Sequence, residues 1–214
     1  VYMTDKKARL AVIGVGNMGY AHTKDIQELP LTELVAVCDN DEERLAFVSE
    51  DREVDAYYDY NDLLNRDDLD GVVIATPHYD HVAIAIQAFE RGISVLVEKP
   101  IAVHGKDARK MIDAYHKAKA KHPNLVFEAM FMQRTYGYWR KIKEMIDNGD
   151  LGRLVRVTWL ITNWFRTQAY YNDGGWRATW RGEGGGVLIN QCAHNLDLYQ
   201  WMVGMPSRVR GIAP

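Results

Sequence analysis

The stretch Gly14-Val15-Gly16-Asn17-Met18-Gly19 decides the fold that this sequence predicts. It follows an apolar run at residues 10–13 and opens a segment that contains no proline until Pro30. A strand, a tight glycine turn and the start of a helix are the parts of a dinucleotide-binding fingerprint, in which free N–H groups and the helix dipole hold phosphate. A glycine turn without a ligand is the alternative. The residues of the turn that we expect to contact the cofactor are Gly14, Gly16, Asn17, Met18 and Gly19.

Asp39 ends a second apolar run, 20 positions after the last glycine of the fingerprint. A carboxylate at this distance accepts hydrogen bonds from the adenosine ribose, and its charge repels a 2′-phosphate, which favours NAD over NADP. The alternative is that Asp39, Asn40 and Asp41 together cap the next helix. Arg44 lies one turn further along and can meet a 2′-phosphate, so NADP stays open. We expect Asp39, Asn40 and Arg44 to contact the adenosine end of the cofactor.

Composition and charge limit the classes of protein and partner. Of the 214 residues, 47% are hydrophobic and 26% are charged, as in globular proteins. The net charge is −3 and no block of lysines or arginines occurs, so we expect no nucleic acid partner. No apolar run approaches the roughly 18 residues of a membrane span, and the polar N-terminus does not resemble a secretory signal. We therefore expect a cytoplasmic protein with no membrane partner.

Two cysteines, Cys38 and Cys192, both lie in apolar sequence contexts. We interpret them as reduced packing residues, which is typical of a cytoplasmic protein. Neither has the spacing of a metal ligand, so we predict no metal site.

Short apolar runs alternate with helical patterns from residue 10 to about residue 128. This alternation predicts βαβ units and an α/β fold, a doubly wound parallel Rossmann sheet that binds NAD(P) in a domain over residues 1–128. The predicted strands cover residues 10–13, 34–38, 54–57, 71–75, 94–97 and 125–128. The predicted helices cover residues 17–29, 42–50, 61–65, 80–91 and 104–121. Ligands bind such a sheet at the carboxyl ends of its strands.

Two predicted strands end in residues that carry chemistry. One is followed by Thr76-Pro77-His78-Tyr79-Asp80-His81, the other by Glu98-Lys99-Pro100. Both ends fall on the edge of the sheet where a cofactor held by the glycine turn would lie. Most lysines are solvated surface charges, but Lys99 ends a buried strand, and this position favours a function. The cofactor contacts that we predict here are Thr76, Pro77, His81, Glu98 and Lys99.

Four stretches together resemble the Gfo/Idh/MocA oxidoreductases, a family that includes inositol dehydrogenase and glucose–fructose oxidoreductase. They are the glycine fingerprint, Ala75-Thr76-Pro77, Val97-Glu98-Lys99-Pro100 and the run from Gly184-Gly185-Gly186 to Asn190-Gln191-Cys192-Ala193-His194. The resemblance covers nearly the whole chain, in the order of the family. It implies that Lys99 and His194 are the catalytic pair.

The pattern changes after residue 128, where we place a second domain at residues 129–214. We predict helices at 138–148 and 187–202, a strand at 153–164, the start of a strand at 207–212, and an aromatic loop between. The resemblance implies an α+β substrate domain with an open, mostly antiparallel sheet. Because only one strand and part of another are present, we expect that the C-terminal part of this domain is missing. The resemblance also implies a homodimer or tetramer for the full-length protein.

His194 is a suitable general base because its unperturbed pKa lies near neutrality. Asn190 precedes it by four positions, so both are expected on one face of the predicted helix. Asp197 either orients the imidazole or is solvated. Inositol dehydrogenase-like members of the family have Asp where this chain has Asn190, which cannot accept a proton but can hold a hydroxyl. Our hypothesis is that His194 takes the proton, Lys99 polarises the reacting oxygen and contacts the nicotinamide ribose, and Asn190 orients the substrate.

The second domain contains flat aromatic faces and arginine donors, a lining that suits a polyhydroxylated ring. The substrate contacts that we predict are Lys99, Arg134, Trp164, Arg166, Trp176, Arg177, Asn190 and His194, with Tyr170, Trp180 and Arg181 as further members of this set. The alternative is that the tryptophans pack on a sheet and the arginines are solvated. In the connector before Arg134, Met132 stands where a relative has Asn.

Together these features predict an oxidoreductase that transfers a hydride between NAD, or NADP, and a hydroxyl carbon of a sugar, glycoside or cyclitol. Other interpretations are an NADP-dependent reductase of the same family, a sugar sensor without catalysis, and a methyltransferase. The presence of both Lys99 and His194 argues against the sensor. The Glu-Lys-Pro motif has no task in a methyltransferase.

Overall fold

Six parallel strands form one sheet in the computed structural model, which describes residues 6–162, 165–172 and 175–212. The strands are β1 (Ala8–Ile13), β2 (Thr32–Cys38), β3 (Asp55–Tyr57), β4 (Gly71–Ile74), β5 (Ser94–Val97) and β6 (Phe127–Ala129). Their order across the sheet is β3-β2-β1-β4-β5-β6, and every neighbouring pair is parallel. This is the strand order of the doubly wound dinucleotide-binding sheet, so the predicted Rossmann fold is confirmed.

Helices connect the strands and continue beyond them. They are α1 (Asn17–Glu28), α2 (Glu42–Arg52), α3 (Tyr60–Leu63), α4 (His81–Glu90), α5 (Gly105–Lys119), α6 (Gly137–Asp147), α7 (Gln168–Asn172) and α8 (Ala193–Val203), with a 3₁₀ helix at Met132–Thr135. Up to α6, every predicted helix and strand agrees with the structure to within two residues at each end.

The core lies on both faces of the sheet, because alternate residues of each strand point to opposite sides. Ile13 and Ile74 pack on one face with Phe89 of α4. Val12 and Val37 pack on the other, and all five side chains are buried. Burial on both faces explains why the strands appear in the sequence as continuous apolar runs.

Two glycines of the fingerprint are required by close backbone contact. Gly14 has φ +85°, and a Cβ there would lie 2.7 Å from the Thr76 amide nitrogen. A Cβ on Gly19 would lie 1.8 Å from the Gly14 carbonyl oxygen. The turn after β1 therefore packs directly against α1 and against the end of β4, where no side chain fits.

The second half of the chain differs from the prediction. No strand forms in the described residues 153–162 or 207–212, so the predicted strands at 153–164 and 207–212 are wrong. A strand needs a neighbour for its backbone hydrogen bonds, and no such bond joins either stretch to another described segment. Val155 is 84% exposed and Leu160 is 81% exposed. Apolar and β-branched composition alone did not specify a sheet here.

The last predicted helix begins later than expected. Residues 187–192 form turns, in which the Cys192 N–H donates to the Val187 carbonyl at 2.9 Å, and α8 starts only at Ala193. The preceding glycine run, with Gly184 at φ +76°, favours turns over helix. The prediction that Asn190 and His194 share one face of a helix is therefore wrong, since Asn190 precedes α8.

The described residues contain neither a membrane-spanning helix nor a metal-binding cluster. No helix in them combines the length and apolar character that crossing a bilayer requires. No group of three or more His, Cys, Asp or Glu side chains in the same ranges is arranged to hold a metal ion.

We expect Gly19→Ala to lower the melting temperature, because the new Cβ would overlap the Gly14 carbonyl oxygen. Overpacking costs about 1–3 kcal/mol, and each kcal/mol lowers the melting temperature by roughly 2–4 °C in a chain of this size. Thermal unfolding followed by circular dichroism measures the change. Gly105→Ala is the control, since its nearest neighbour would be an Arg109 side-chain nitrogen at 3.7 Å. Equal melting temperatures for the two variants would contradict the close packing.

Candidate active site

Lys99 connects the carboxyl ends of the strands to the second half of the chain. It lies two residues after the end of β5, and its Nζ donates to the Asn190 carbonyl at 3.1 Å and to Asn190 Oδ1 at 3.2 Å. Burial lowers the pKa of Lys99, and the negative charge of Glu98 opposes that change. Of the predicted catalytic residues, Lys99 and Asn190 are therefore in direct contact.

Glu98, the residue before Lys99, is buried. Its Oε1 is 2.9 Å from His22 Nε2 on α1, and its Oε2 accepts the Lys99 backbone N–H at 3.1 Å. Burial opposes ionisation of the Glu98 carboxyl group. His22 and Lys99 each add a hydrogen bond and a positive charge, and together they lower the pKa of Glu98 overall. Both oxygens of this predicted cofactor contact are thus engaged within the protein.

His194 lies in the first turn of α8 and is buried. Its ring meets Phe131 edge-on, with 6.0 Å between the ring centroids. Burial lowers the pKa of His194, and the positive charge of Lys99 lowers it further. Nδ1 is buried and has no hydrogen-bond partner among the described residues. The imidazole is therefore neutral near pH 7 and has an unused nitrogen.

Sequence reasoning did not include Glu183 and His78, which complete the surroundings of Asn190. Asn190 Nδ2 donates to Glu183 Oε1, and His78 Nδ1 is 2.9 Å from the Glu183 carbonyl oxygen. Burial lowers the pKa of His78 to about 4. The signal for Glu183 was an acidic residue directly before the triple-glycine run. His78 lay within a strand-end stretch that we had already quoted.

His81 is fully buried and lies between two loops. Its Nδ1 is 2.9 Å from the Pro100 carbonyl oxygen and its Nε2 is 2.9 Å from the Thr76 carbonyl oxygen. The ring thus connects the end of β4 to the segment that carries Lys99. Thr76 Oγ1 is buried without a hydrogen-bond partner in the described part of the chain.

Asp39 and Arg44 both contact the peptide groups of Val15. Asp39 Oδ2 accepts the Val15 N–H at 2.7 Å, and Arg44 Nε donates to the Val15 carbonyl at 2.7 Å. Asp39 Oδ1 accepts the Asp41 N–H at 3.0 Å, while Asp41 itself caps α2. Of the predicted cap Asp39-Asn40-Asp41, the residue at the N-cap is thus Asp41. Asp39 fixes the fingerprint turn at the position where a ribose would lie.

The start of α1 fits a dinucleotide pyrophosphate. A Cβ on Gly16 would meet no described atom within 4 Å. No described side chain caps this N-terminus, and the first turn of α1 contains no acidic residue. Free N–H groups and a positive helix end are what a pyrophosphate requires. The residues that would hold it are Gly14, Gly16, Asn17, Met18 and Gly19.

Several predicted substrate contacts cluster around Tyr170. The Arg177 guanidinium lies 4.9 Å from the Tyr170 ring centroid and 4.8 Å from that of Trp176, and Arg166 lies 5.2 Å from Tyr170. The Trp176 ring meets His78 edge-on at 5.3 Å. A cavity of about 240 Å³ adjoins the cluster, lined in part by Trp180, Glu183 and Gln191. Trp164, which we also predicted to contact substrate, lies outside the described residues.

Arg134, whose contact with substrate stays a prediction, pairs with a carboxylate on α8. Its guanidinium binds both oxygens of Asp197, with Nε at 2.8 Å from Oδ2. Asp197 therefore neither orients His194 nor lies in solvent, the two alternatives open in the sequence. The pair attaches α8 to the 3₁₀ helix.

A parallel sheet with a glycine turn at the start of α1, a half-buried lysine just after β5 and a histidine from a second segment has the layout of a dinucleotide-binding fold. The chain belongs to the Gfo/Idh/MocA family. The family profile described as an oxidoreductase family with an NAD-binding Rossmann fold matches residues 8–123, and that of the family's C-terminal domain matches residues 139–214. The predicted NAD cofactor is in accord with this family. The boundary between residues 128 and 129 stays a prediction.

Similar proteins include the rhizopine catabolism protein MocA of Rhizobium meliloti, 30% identical over 92% of this chain and 57% of that protein. Inositol 2-dehydrogenase of Rubrobacter xylanophilus is 28% identical over 92% of this chain and 53% of its own length. Among solved structures, the WlbA dehydrogenase of Bordetella pertussis, in complex with NADH and UDP-GlcNAcA, matches with a TM-score of 0.82 at 30% identity, covering 94% of this chain and 57% of that one. The chain thus spans about half the length of the relatives it matches.

We expect Arg134→Met to destabilise the fold by about 1–3 kcal/mol, because it leaves the Asp197 carboxylate, only 9% exposed, without its partner. Chemical unfolding in urea measures the loss. Arg140→Met, an exposed arginine on α6, is the control and should change stability little. If both variants unfold at the same urea concentration as wild type, the pair does not hold α8.

Proposed function

We propose that the protein transfers a hydride between NAD and a hydroxyl carbon of a sugar, glycoside or cyclitol. The observation that supports this most strongly is the convergence of Lys99, Asn190 and the neutral His194 at the carboxyl end of β5. This is the edge of the sheet to which the fingerprint turn also belongs. NAD, when bound, supplies the hydride acceptor.

His194 acts as the general base in this proposal. A base must be unprotonated before the reaction, and burial together with the charge of Lys99 keeps the pKa of His194 below its ordinary value. Its Nδ1 is buried and has no hydrogen-bond partner among the described residues, so no described protein group competes for the proton that the imidazole takes from a substrate hydroxyl. The edge-on contact with Phe131 limits how the ring can turn.

Lys99 and Asn190 position the reacting oxygen. The Lys99 ammonium is bound by two neutral oxygens of Asn190, so a substrate oxygen can become a further acceptor for one of its three N–H groups. A positive donor at this point stabilises negative charge that develops on the oxygen as its proton leaves. Lys99 also contacts the nicotinamide ribose in this proposal.

A polyhydroxylated ring is the proposed substrate class. The guanidinium groups of Arg166 and Arg177 lie over the rings of Tyr170 and Trp176, at 5.2 Å and 4.8 Å from the ring centroids, so aromatic surface and charged donors are adjacent. Two similar proteins support the class, since one is named an inositol 2-dehydrogenase and the other was solved with UDP-GlcNAcA. The identity of the ring is tested by scanning inositols, aldohexoses and glycosides for NADH absorbance.

NAD is the proposed cofactor in preference to NADP. The Asp39 carboxylate is held beside the fingerprint turn by the Val15 N–H, and its charge would repel a 2′-phosphate. Arg44 Nε is bound to the Val15 carbonyl and its guanidinium lies 4.9 Å from the Tyr20 ring centroid, which directs it along the turn.

We expect Lys99→Met to reduce the rate of hydride transfer at least about a hundredfold, because the donor to the developing oxyanion is lost. Stopped-flow absorbance at saturating NAD and substrate measures the step. Lys117→Met, an exposed lysine on α5, is the control and should leave the rate unchanged. A Lys99→Met rate within tenfold of wild type would remove the proposed mechanism.

The acid side of the pH–rate profile for oxidation should fall below the ordinary imidazole value of about 6.5. The reason is that burial and Lys99 lower the pKa of His194, so the neutral, proton-accepting form persists as the pH falls. Initial rates between pH 4.5 and pH 8 locate this limb, and His194→Asn should abolish it. A limb above 6.5, or one that survives in His194→Asn, would assign the base to another group.

A further inference from the structure

Glu98 stands out among the buried groups, because the function proposed above gives it no task. It and Glu183 are the buried carboxylates of the described residues. Glu183 is explained by its hydrogen bond with Asn190. Glu98 is bound instead to the backbone of Lys99 and to His22, which lies 76 positions away on α1.

The ligands of the Lys99 ammonium are both neutral. Nζ donates to a backbone carbonyl and to an amide oxygen, and the carboxylate of Glu98 binds the N–H of the same residue rather than Nζ. An ammonium removed from water without a counter-charge tends to lose its proton. A donor of this kind therefore depends on a negative charge close by, even one that does not touch it.

The charge of Glu98 acts on several titratable groups around it. His22 comes from α1, His78 and His81 from the β4–α4 connection and from α4, and His194 from α8, with Lys99 next in the chain. Burial lowers the pKa of His78, of His81, of His194 and of Lys99, and in each case the Glu98 charge opposes it. For Lys99, Glu98 is the largest opposing influence.

We propose that Glu98, oriented by His22, is a positioning residue that keeps the Lys99 side chain in its charged, hydrogen-bond-donating form. This inference rests on the proposed role of Lys99 as the donor to the reacting oxygen. The same contact fixes α1, whose N-terminus faces the pyrophosphate site, to the strand end that carries the lysine. One buried carboxylate thus connects the cofactor helix and the proposed donor.

The alternative is that Glu98 only satisfies two N–H groups of the fold. Glu98→Gln separates the two possibilities because it keeps the size and one acceptor oxygen but removes the charge. Glu128→Gln is the matched control, since Glu128 lies on the neighbouring strand β6, is exposed, and is paired in register with Leu96. Melting temperature and NAD affinity of each variant report on the fold.

The test is the acylation of Lys99 with trace acetic anhydride across pH, quantified by peptide mass spectrometry, because only the neutral amine reacts. In Glu98→Gln we expect the labelling rate of Lys99 at pH 7 to rise about tenfold. Loss of the nearby opposite charge lowers the pKa of Lys99 by about 1 or more, and the fraction of neutral amine rises accordingly. In Glu128→Gln it should equal wild type. Equal labelling in Glu98→Gln and wild type would overturn the proposal.

The wild-type chain provides a second test, in case Glu98→Gln does not fold. At pH 7 the labelling of Lys99 should be far below its alkaline plateau, and a plateau already reached at pH 7 would overturn the proposal. Labelling requires no turnover. If Lys99 responds to Glu98 as expected while no alcohol is oxidised, the link between the two residues stands and the proposed function fails.

In an active enzyme the alkaline side of the pH–rate profile should move to lower pH in Glu98→Gln, in parallel with the labelling. A residue with only a structural task would lower kcat or the melting temperature without moving this limb. Glu98→Asp, which keeps the charge, should restore most of the wild-type profile.

Discussion

The hydrogen bonds from the Lys99 ammonium to the two oxygens of Asn190 are the interaction on which the rest of the site depends. They join the end of β5 to a turn 91 positions later in the chain. Because both ligands are neutral, burying the ammonium costs free energy unless an opposite charge lies near it. This requirement explains a carboxylate at position 98, and the carboxylate in turn explains the buried His22 on α1.

Three histidines near Lys99 share a pKa below the ordinary imidazole value. Burial lowers the pKa of His78 to about 4 and also lowers the pKa of His81 and of His194. The pKa of Lys99 is lowered as well, but there the charge of Glu98 is the largest opposing influence. The proposed proton acceptor, His194, and the proposed charged donor, Lys99, need different surroundings. Lys99 has the carboxylate of Glu98 next to it. His194 instead has an aromatic ring beside it and a nitrogen without a described partner.

The fold of residues 8–129 was predictable because its information is local. Buried parallel strands appear as apolar runs, and the glycine turn, Asp39 and Lys99 each stand at a strand end, where the fold places ligands. His22 and Glu183 were missed because their partners lie far away in sequence or beyond a glycine run. The strand predicted at residues 153–164 failed for a similar reason, since a strand is specified by the neighbour that accepts its hydrogen bonds, and a single sequence does not show that neighbour.

Arg134 and Asp197 show how residue types alone mislead in the second half. The sequence predicted a substrate contact for Arg134 and left Asp197 either beside His194 or in solvent, whereas the two side chains bind each other. The physical reason is that a carboxylate only 9% exposed needs a charged partner, and a guanidinium offers two parallel N–H groups. Because this pair holds α8, His194 is positioned by its helix and not by a hydrogen bond of its own ring. Its buried Nδ1 has no described protein partner, so no described group competes for the proton that we propose the imidazole takes.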